Sequence, residues 1–519
     1  MTKKIITVNS NKKDKGKNKP ESQLENAKEF SISMGVAIAL ALLVKILVVE
    51  LFVIPSGSME PNLHGRVDGG DRVLCSKLNY HFRDPVRWEP FVFQFPHDDH
   101  PSFSGTNFIK RCIGLPGEKI YIRRGDIYTS HSDTFNVIER QIKSDEIQRR
   151  LWIPVYEENF SDLSVEEMQY FWLINGKPKE VNINNNTLVF SGSKIELTYR
   201  PRSRLRDEQY FTGIPDRYIR RQVVTFKCNK DKCEGTLIKT VWHQKIVGRC
   251  PICKTYMLEK QVTKYQRRSS LYDEAGTIGV PGVNSEKTTF TEGDFATTDD
   301  AFQSARTRWH FVPDLRTINK IQFGEVGSSY EVELSEETAP FTPDHRFRLK
   351  LFADQKGRKA ELWNNNKLVA QSKGNIALAP GQWYEVEFYR ADSELRLFID
   401  RTLYLNHKIK YPMPKQDNDH PKKTGIKLAF NGKVKVQNLK IDRDIYYYFN
   451  DSHTGNGRQA HGEKASSSAF EVTLKGYMAM GDNCTASNDS RNWGEVPEER
   501  LRGPALFIWW PPHRIRLIK

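Results

Sequence analysis

Between Ser31 and Ile54 the chain carries an apolar run whose only charges are Lys45 and Glu50. Ile32–Val44 holds no charged residue at all, and such a stretch belongs in a bilayer or a protein core. Lys45 lies toward the far end, where its stem can reach back to the interface, with Glu50 at or beyond the surface. A cleavable signal peptide and a buried soluble helix are the alternatives, but no small-x-small cleavage site precedes the polar region. Seven lysines against Asp14 crowd the first twenty residues. The positive-inside rule then leaves residues 1–30 as a disordered cytoplasmic tail, spans the membrane with 31–54, and puts the chain beyond Ile54 outside. Much of the formal charge of +15 sits in that tail, so no nucleic-acid partner is needed to explain it.

A chain of 519 residues is expected to form two to four domains. Past the helix, short β-like runs (Arg72–Cys75, Phe91–Phe95, Phe108–Ile113, Lys119–Ile122) alternate with Gly and Pro, which predicts a compact β unit. From 320 to 448 the alternation is stronger. Phe347/Leu349/Leu351, Tyr384/Val386/Phe388, Leu395/Leu397/Ile399, Ile426/Leu428/Phe430 and Val434/Val436 are separated by polar turns such as Asn364–Asn366. Amphipathic strands at that spacing predict a β-sandwich. Residues 449–469, rich in Gly, Ser and His, read as a linker. The fold class expected is therefore mainly β with one N-terminal transmembrane helix.

Two segments carry chemistry. Pro55-Ser56-Gly57-Ser58-Met59-Glu60-Pro61 sets a hydroxyl on a sharp Gly/Pro turn. Phe108-Ile109-Lys110-Arg111-Cys112-Ile113 places a lysine inside an apolar strand. Burial disfavours the ammonium, so the amine can become a neutral base, and a Ser–Lys pair is a variant of the triad in which Lys replaces His. His97-Asp98-Asp99-His100 is a rival His-based or metal-binding cluster, but it lies in a Pro-flanked polar loop.

These segments, with Gly70-Asp71-Arg72-Val73 and with Gly481-Asp482-Asn483-Cys484-Thr485-Ala486-Ser487-Asn488-Asp489-Ser490-Arg491, resemble the motifs of the type I signal peptidases in their order along the chain. The resemblance covers about 33–129 and 470–510. It implies a catalytic domain at 55–129 and 470–519, with Ser58 as nucleophile and Lys110 as general base. Ser487 would orient the lysine, and Ser56 with the Ser58 N–H would hold the oxyanion. Asp489 and Arg491 would support that corner, and Met59 would shape the cleft. Cys484-Thr485 depart from the family's usual pair, which bears on local packing there. The implied substrates are secretory precursors. The implied place is a bacterial cytoplasmic membrane, single-pass, with the catalytic face outside and membrane lipid beside it. No cofactor is needed for that catalysis.

The insert reads in two parts. Segments 151–220 and 263–448 resemble a concanavalin A-like (laminin G-like) jelly roll, on which Trp363 and Trp383 could stack on a carbohydrate or another cell-envelope ligand, or simply pack. Within it, at 221–262, Cys228, Cys233, Cys250 and Cys253 have the spacing of a zinc-ribbon site, with two disulfides as the alternative in an oxidising compartment. Cys75, Cys112 and Cys484 read as packing residues. Since every matched motif lies outside the insert, a chain lacking about 150–448 is expected to keep some competence. Two other classes compete: a tethered binding protein on a peptidase-like scaffold, and a self-cleaving Ser–Lys repressor-type protease.

Overall fold

The computed structural model describes residues 20–65, 70–131 and 138–158, most of 160–199, five strands within 220–267, and most of 311–449 and 469–518. The fold is mainly β. Its leading helix, Pro20–Leu47, starts ahead of the expected span and stops short of it. Val49–Val53, expected to be helical, is a strand, with Val49 opposite Ser76 and Val53 opposite Arg72. The reason is local: Val48, Val49, Phe52 and Val53 favour extended backbone, and Arg72–Ser76 offers free ladder groups beside them. Among the described residues no helix is long and apolar enough to cross a membrane. Phe30, Ile32, Met34, Val36, Ile38 and Leu40 are nonetheless exposed along this helix.

The two ends of the chain build one sheet. Its order runs Val49–Val53, Arg72–Ser76, Leu501–Trp510, Pro90–Gln94, Asn107–Gly114, Gly476–Met480 and Val496–Pro497. The strand Leu501–Trp510 therefore lies between two N-terminal strands. Gly476–Met480 joins the lysine-bearing strand Asn107–Gly114, with Met480 opposite Arg111. A smaller sheet combines Glu118–Arg123, Asp126–His131, Glu139–Arg140 and Phe470–Glu471.

The alternating segments form two antiparallel sheets of eight and seven strands, closing on one apolar core. Phe347, Leu349, Leu351, Leu428, Val434 and Val436 all point into it. Phe190 stacks on Phe430 across the sheets at 3.9 Å between ring centroids, an aromatic contact of the kind that contributes about 0.5–1.5 kcal/mol beyond area burial. Asn185, Asn186 and Asn365 adopt the left-handed conformation in the tight turns, which Asn tolerates because its side chain bonds locally.

The sandwich meets the sheets built from the two ends of the chain through a buried charged layer over an apolar one. Lys143 Nζ lies 2.6 Å from Asp392 and 2.9 Å from Asp444, and Arg140 lies 2.7 Å from Asp126. Beneath them Leu151, Ile153, Val312 and Ile445–Phe449 share one cluster with Trp88, Ile113, Ile120 and Met478. Cys228, Cys233, Cys250 and Cys253 lie outside the described residues. The strands nearest them in sequence pair as Arg220–Lys227 with Thr236–Val241 and as Gly248–Arg249 with Tyr256–Met257.

Candidate active site

The apolar strand Asn107–Gly114 turns Lys110 inward, and the residue is 4% exposed. Facing it, Ser56 is extended and exposed, and the chain then turns through one 3-10 turn, Gly57–Met59. That turn aims the Ser58 hydroxyl at the amine. Lys110 Nζ donates to Ser58 Oγ at 2.6 Å and to the Ile109 carbonyl at 3.2 Å. Met59 sits behind, fully buried with Ile54, Leu63, Val73 and Ile508.

The segment after Gly476–Met480 closes the site from the other end of the chain. Asn483 donates its backbone N–H to the Ser58 carbonyl at 3.0 Å and its side-chain amide to the Gly57 carbonyl at 3.0 Å. A Cβ at Gly481 would collide with both the Ser58 carbonyl and Ser487 Oγ, so only glycine admits this approach. Ser487 is thereby brought to the site. Its buried Oγ makes no hydrogen bond to Lys110, so the expected orienting contact is not formed here.

Two ion pairs flank the lysine. Asp489 caps the short helix Ser490–Trp493, and it accepts from Arg491 Nε at 2.8 Å and Nη2 at 2.9 Å and from the Gly481 N–H at 3.0 Å. Burial alone would raise Asp489, but the Arg491 charge and these hydrogen bonds carry it below the ordinary carboxylate range. Arg491 also donates to Cys484 Sγ at 3.0 Å and to the Cys484 carbonyl at 2.6 Å. The unusual Cys484 thus has a local partner, while Thr485 lies outside the described residues. On the opposite side Arg111 Nε and Nη2 grip Asp482, each at 2.6 Å. Burial lowers Lys110; Asp489 and Asp482 hold it up and Arg491 pushes it down, leaving it at about 8. That is a base available near neutral pH.

The Arg111–Asp482 pair did not emerge as a site element from the sequence, although a signal existed. In a strand, alternate residues share a face, so Arg111 lies with Ile109 and Ile113 on an apolar face, where a guanidinium needs an acid. The rival histidines are occupied elsewhere. His97 Nε2 is 2.7 Å from the Trp493 carbonyl, Asp98 pairs with Arg500, and His100 stacks on Phe103. Cys75 and Cys112 are buried, and burial pushes the Cys75 thiol up to about 12, which suits packing and not reactivity.

The family profile described as "Signal peptidase, peptidase S26" matches residues 27–179 and 417–510. A Synechocystis sp. protein described as "Probable signal peptidase I-2" is 38% identical over 91 residues, 17% of this chain and 38% of that relative. "Signal peptidase I" of Pseudomonas fluorescens is 37% identical over 90 residues, 15% of this chain and 28% of the relative. The chain thus spans less than half the length of these two relatives. "Signal peptidase I" of Buchnera aphidicola subsp. Baizongia pistaciae is 24% identical over 234 residues, 37% of this chain and 74% of the relative. Among solved structures, the carbohydrate recognition domain of Emp46p in its potassium-bound form has a TM-score of 0.27 at 9% identity, covering 56% of this chain and 97% of that one.

Proposed function

We propose that this chain is a membrane-anchored type I signal peptidase, a serine endopeptidase that removes signal peptides from secretory precursors. The observation that carries the reading is the buried Lys110 amine 2.6 Å from the Ser58 hydroxyl. The family match and the named relatives support the same class.

In the mechanism, neutral Lys110 takes the Ser58 proton as Oγ attacks the scissile carbonyl. The developing oxyanion is met by the Ser58 N–H and the Ser56 hydroxyl. Lys110 returns its proton to the leaving amine, and an acyl-enzyme remains on Ser58. Lys110 then deprotonates a water that releases the acyl group. Ser487 orients the lysine once substrate closes the site, Asp489 and Arg491 support that corner, and Met59 backs the cleft. No cofactor enters any step.

The catalytic unit in this reading comprises 55–129 and 470–519. The exposed apolar helix supports a single-pass anchor in a bacterial cytoplasmic membrane, with the site on the outer side. Leu51, Val53, Trp510, Ile515 and Leu517, exposed on the adjoining sheet, suit contact with lipid. For the insert, an open groove of about 380 Å³ lies on the outer face of the seven-stranded sheet, with Trp363, Arg348, Glu331 and Asn431 among its walls. An aromatic edge among hydrogen-bonding side chains supports a carbohydrate or other cell-envelope ligand. The spacing of Cys228, Cys233, Cys250 and Cys253 supports a structural zinc between two hairpin loops.

Membranes carrying the wild-type chain should cleave a generic signal-peptide precursor after its small-x-small motif, and membranes carrying Ser58→Ala should not. Equal cleavage by both, or none by either, would remove the assignment.

A further inference from the structure

We propose that Tyr447, on the segment leaving the sandwich, is a positioning residue of the serine–lysine site; the inference rests on the peptidase reading. Its starting point is Trp88. This bulky residue has φ +71, a conformation that only surrounding contacts can maintain. Those contacts are specific. The Trp88 N–H donates to the Cys112 carbonyl at 2.8 Å. Lys143 Nζ stands 5.3 Å from the centroid of the Trp88 ring. The Tyr447 ring stacks on it at 6.4 Å with 25° between planes.

What the strained backbone presents is its carbonyl, which accepts from Arg111 Nη1 at 2.5 Å. Arg111 in turn holds Asp482 with two hydrogen bonds, between Gly481 and Asn483, the residues that clasp Ser58. The path from Tyr447 to the nucleophile is therefore a run of direct contacts: Tyr447 ring, Trp88 ring and carbonyl, Arg111, Asp482, Asn483, Ser58. The next residue braces the second ion pair, since the Tyr448 carbonyl accepts from Arg491 Nη1 at 3.1 Å. One short segment thus steadies both pairs whose charges act on Lys110.

The same segment belongs to the sandwich docking layer. Tyr447 lies three residues after Asp444, which with Asp392 holds Lys143 beside the Trp88 ring. Docking of the insert and geometry of the site share the Trp88 ring. The insert is then no detachable appendage, and a chain lacking 150–448 loses Tyr447 with it.

The test uses the full-length chain with a precursor substrate, measuring kcat, KM and the acid limb of the pH profile for wild type, Tyr447→Leu and Tyr447→Phe. Tyr447→Leu should lower kcat about tenfold or more, leave KM within about twofold, and displace the acid limb by about half a pH unit or more. Tyr447→Phe, which keeps the ring, should recover most of the loss. A residue that only fills the core would change thermal stability without moving the limb. Wild-type kcat and limb in folded Tyr447→Leu would overturn the proposal. If Tyr447→Leu does not fold, Tyr447→Met is read in the same way, and failure of both to fold would reduce Tyr447 to a core residue and overturn it too. An inactive wild type would instead overturn the peptidase reading, and this inference with it.

Discussion

Asn483 reaches Ser58 through its backbone N–H at 3.0 Å, so a residue near the C-terminus holds the turn that carries the nucleophile near the N-terminus. The approach depends on Gly481, whose missing side chain leaves room for the Ser58 carbonyl and the Ser487 hydroxyl. Gly481→Ala should therefore lower kcat about a hundredfold or more, because a displacement of about 1 Å at a reacting pair costs that much. The fold should persist, since the clash is confined to one turn. Near-wild-type turnover by Gly481→Ala would show that the turn has slack that the close approach denies.

Activity should rise with pH. With Lys110 at about 8, the neutral fraction is about a tenth at pH 7 and about nine tenths at pH 9. The rate-limiting chemical step should follow that fraction and then level off. Lys110→Arg should be inactive at every pH, because a guanidinium does not deprotonate in this range. A rate independent of pH between 6 and 9 under single-turnover conditions would contradict a titrating base.

The sign of a second effect is less obvious. Asp482 holds the Lys110 value up, so Asp482→Asn should lower it, both by removing the carboxylate and by leaving the Arg111 charge uncompensated. The acid limb should move to lower pH. Breaking one side of this buried pair, 2% and 0% exposed, should also cost about 3–5 kcal/mol of stability. Thermal unfolding and the pH profile of the same preparation check both, and a limb moving upward would show that Asp482 does not act on Lys110 as described.

Cys228, Cys233, Cys250 and Cys253 lead to a measurement independent of catalysis. Purified chain should hold about one zinc, and Cys250→Ser should lose it. Chelation of the wild-type chain should make all four thiols alkylatable. Two disulfides in metal-free protein would replace the zinc reading and leave the Ser58–Lys110 account intact.

The strand that buries Lys110 was legible in the sequence because Phe108-Ile109 and Cys112-Ile113 set the lysine inside an apolar run. The sandwich strands were legible from strict alternation, Phe347, Leu349 and Leu351 being a direct case. The helix end was not. Apolar residues continue from Leu47 to Ile54 with Glu50 as the one interruption, and only pairing with Arg72–Ser76, which no local pattern announces, turns Val49–Val53 into a strand. Trp88 shows the same limit more sharply. Its left-handed backbone is imposed by Cys112, Lys143 and Tyr447, residues distant in sequence, and nothing in Val86-Arg87-Trp88-Glu89 marks it. Segment order and motif spacing announce chemistry well, whereas the contacts that hold the chemistry in place come from tertiary packing.

The most direct measurement of the central claim is covalent. An electrophilic carbonyl peptide with alanine at the first and third positions before the reactive group should label the full-length chain once, at Ser58, as read by peptide mapping. Labelling should be lost in Ser58→Ala and strongly slowed in Lys110→Ala. A label on another residue, or labelling of Ser58 at an unchanged rate in Lys110→Ala, would contradict a lysine-activated serine.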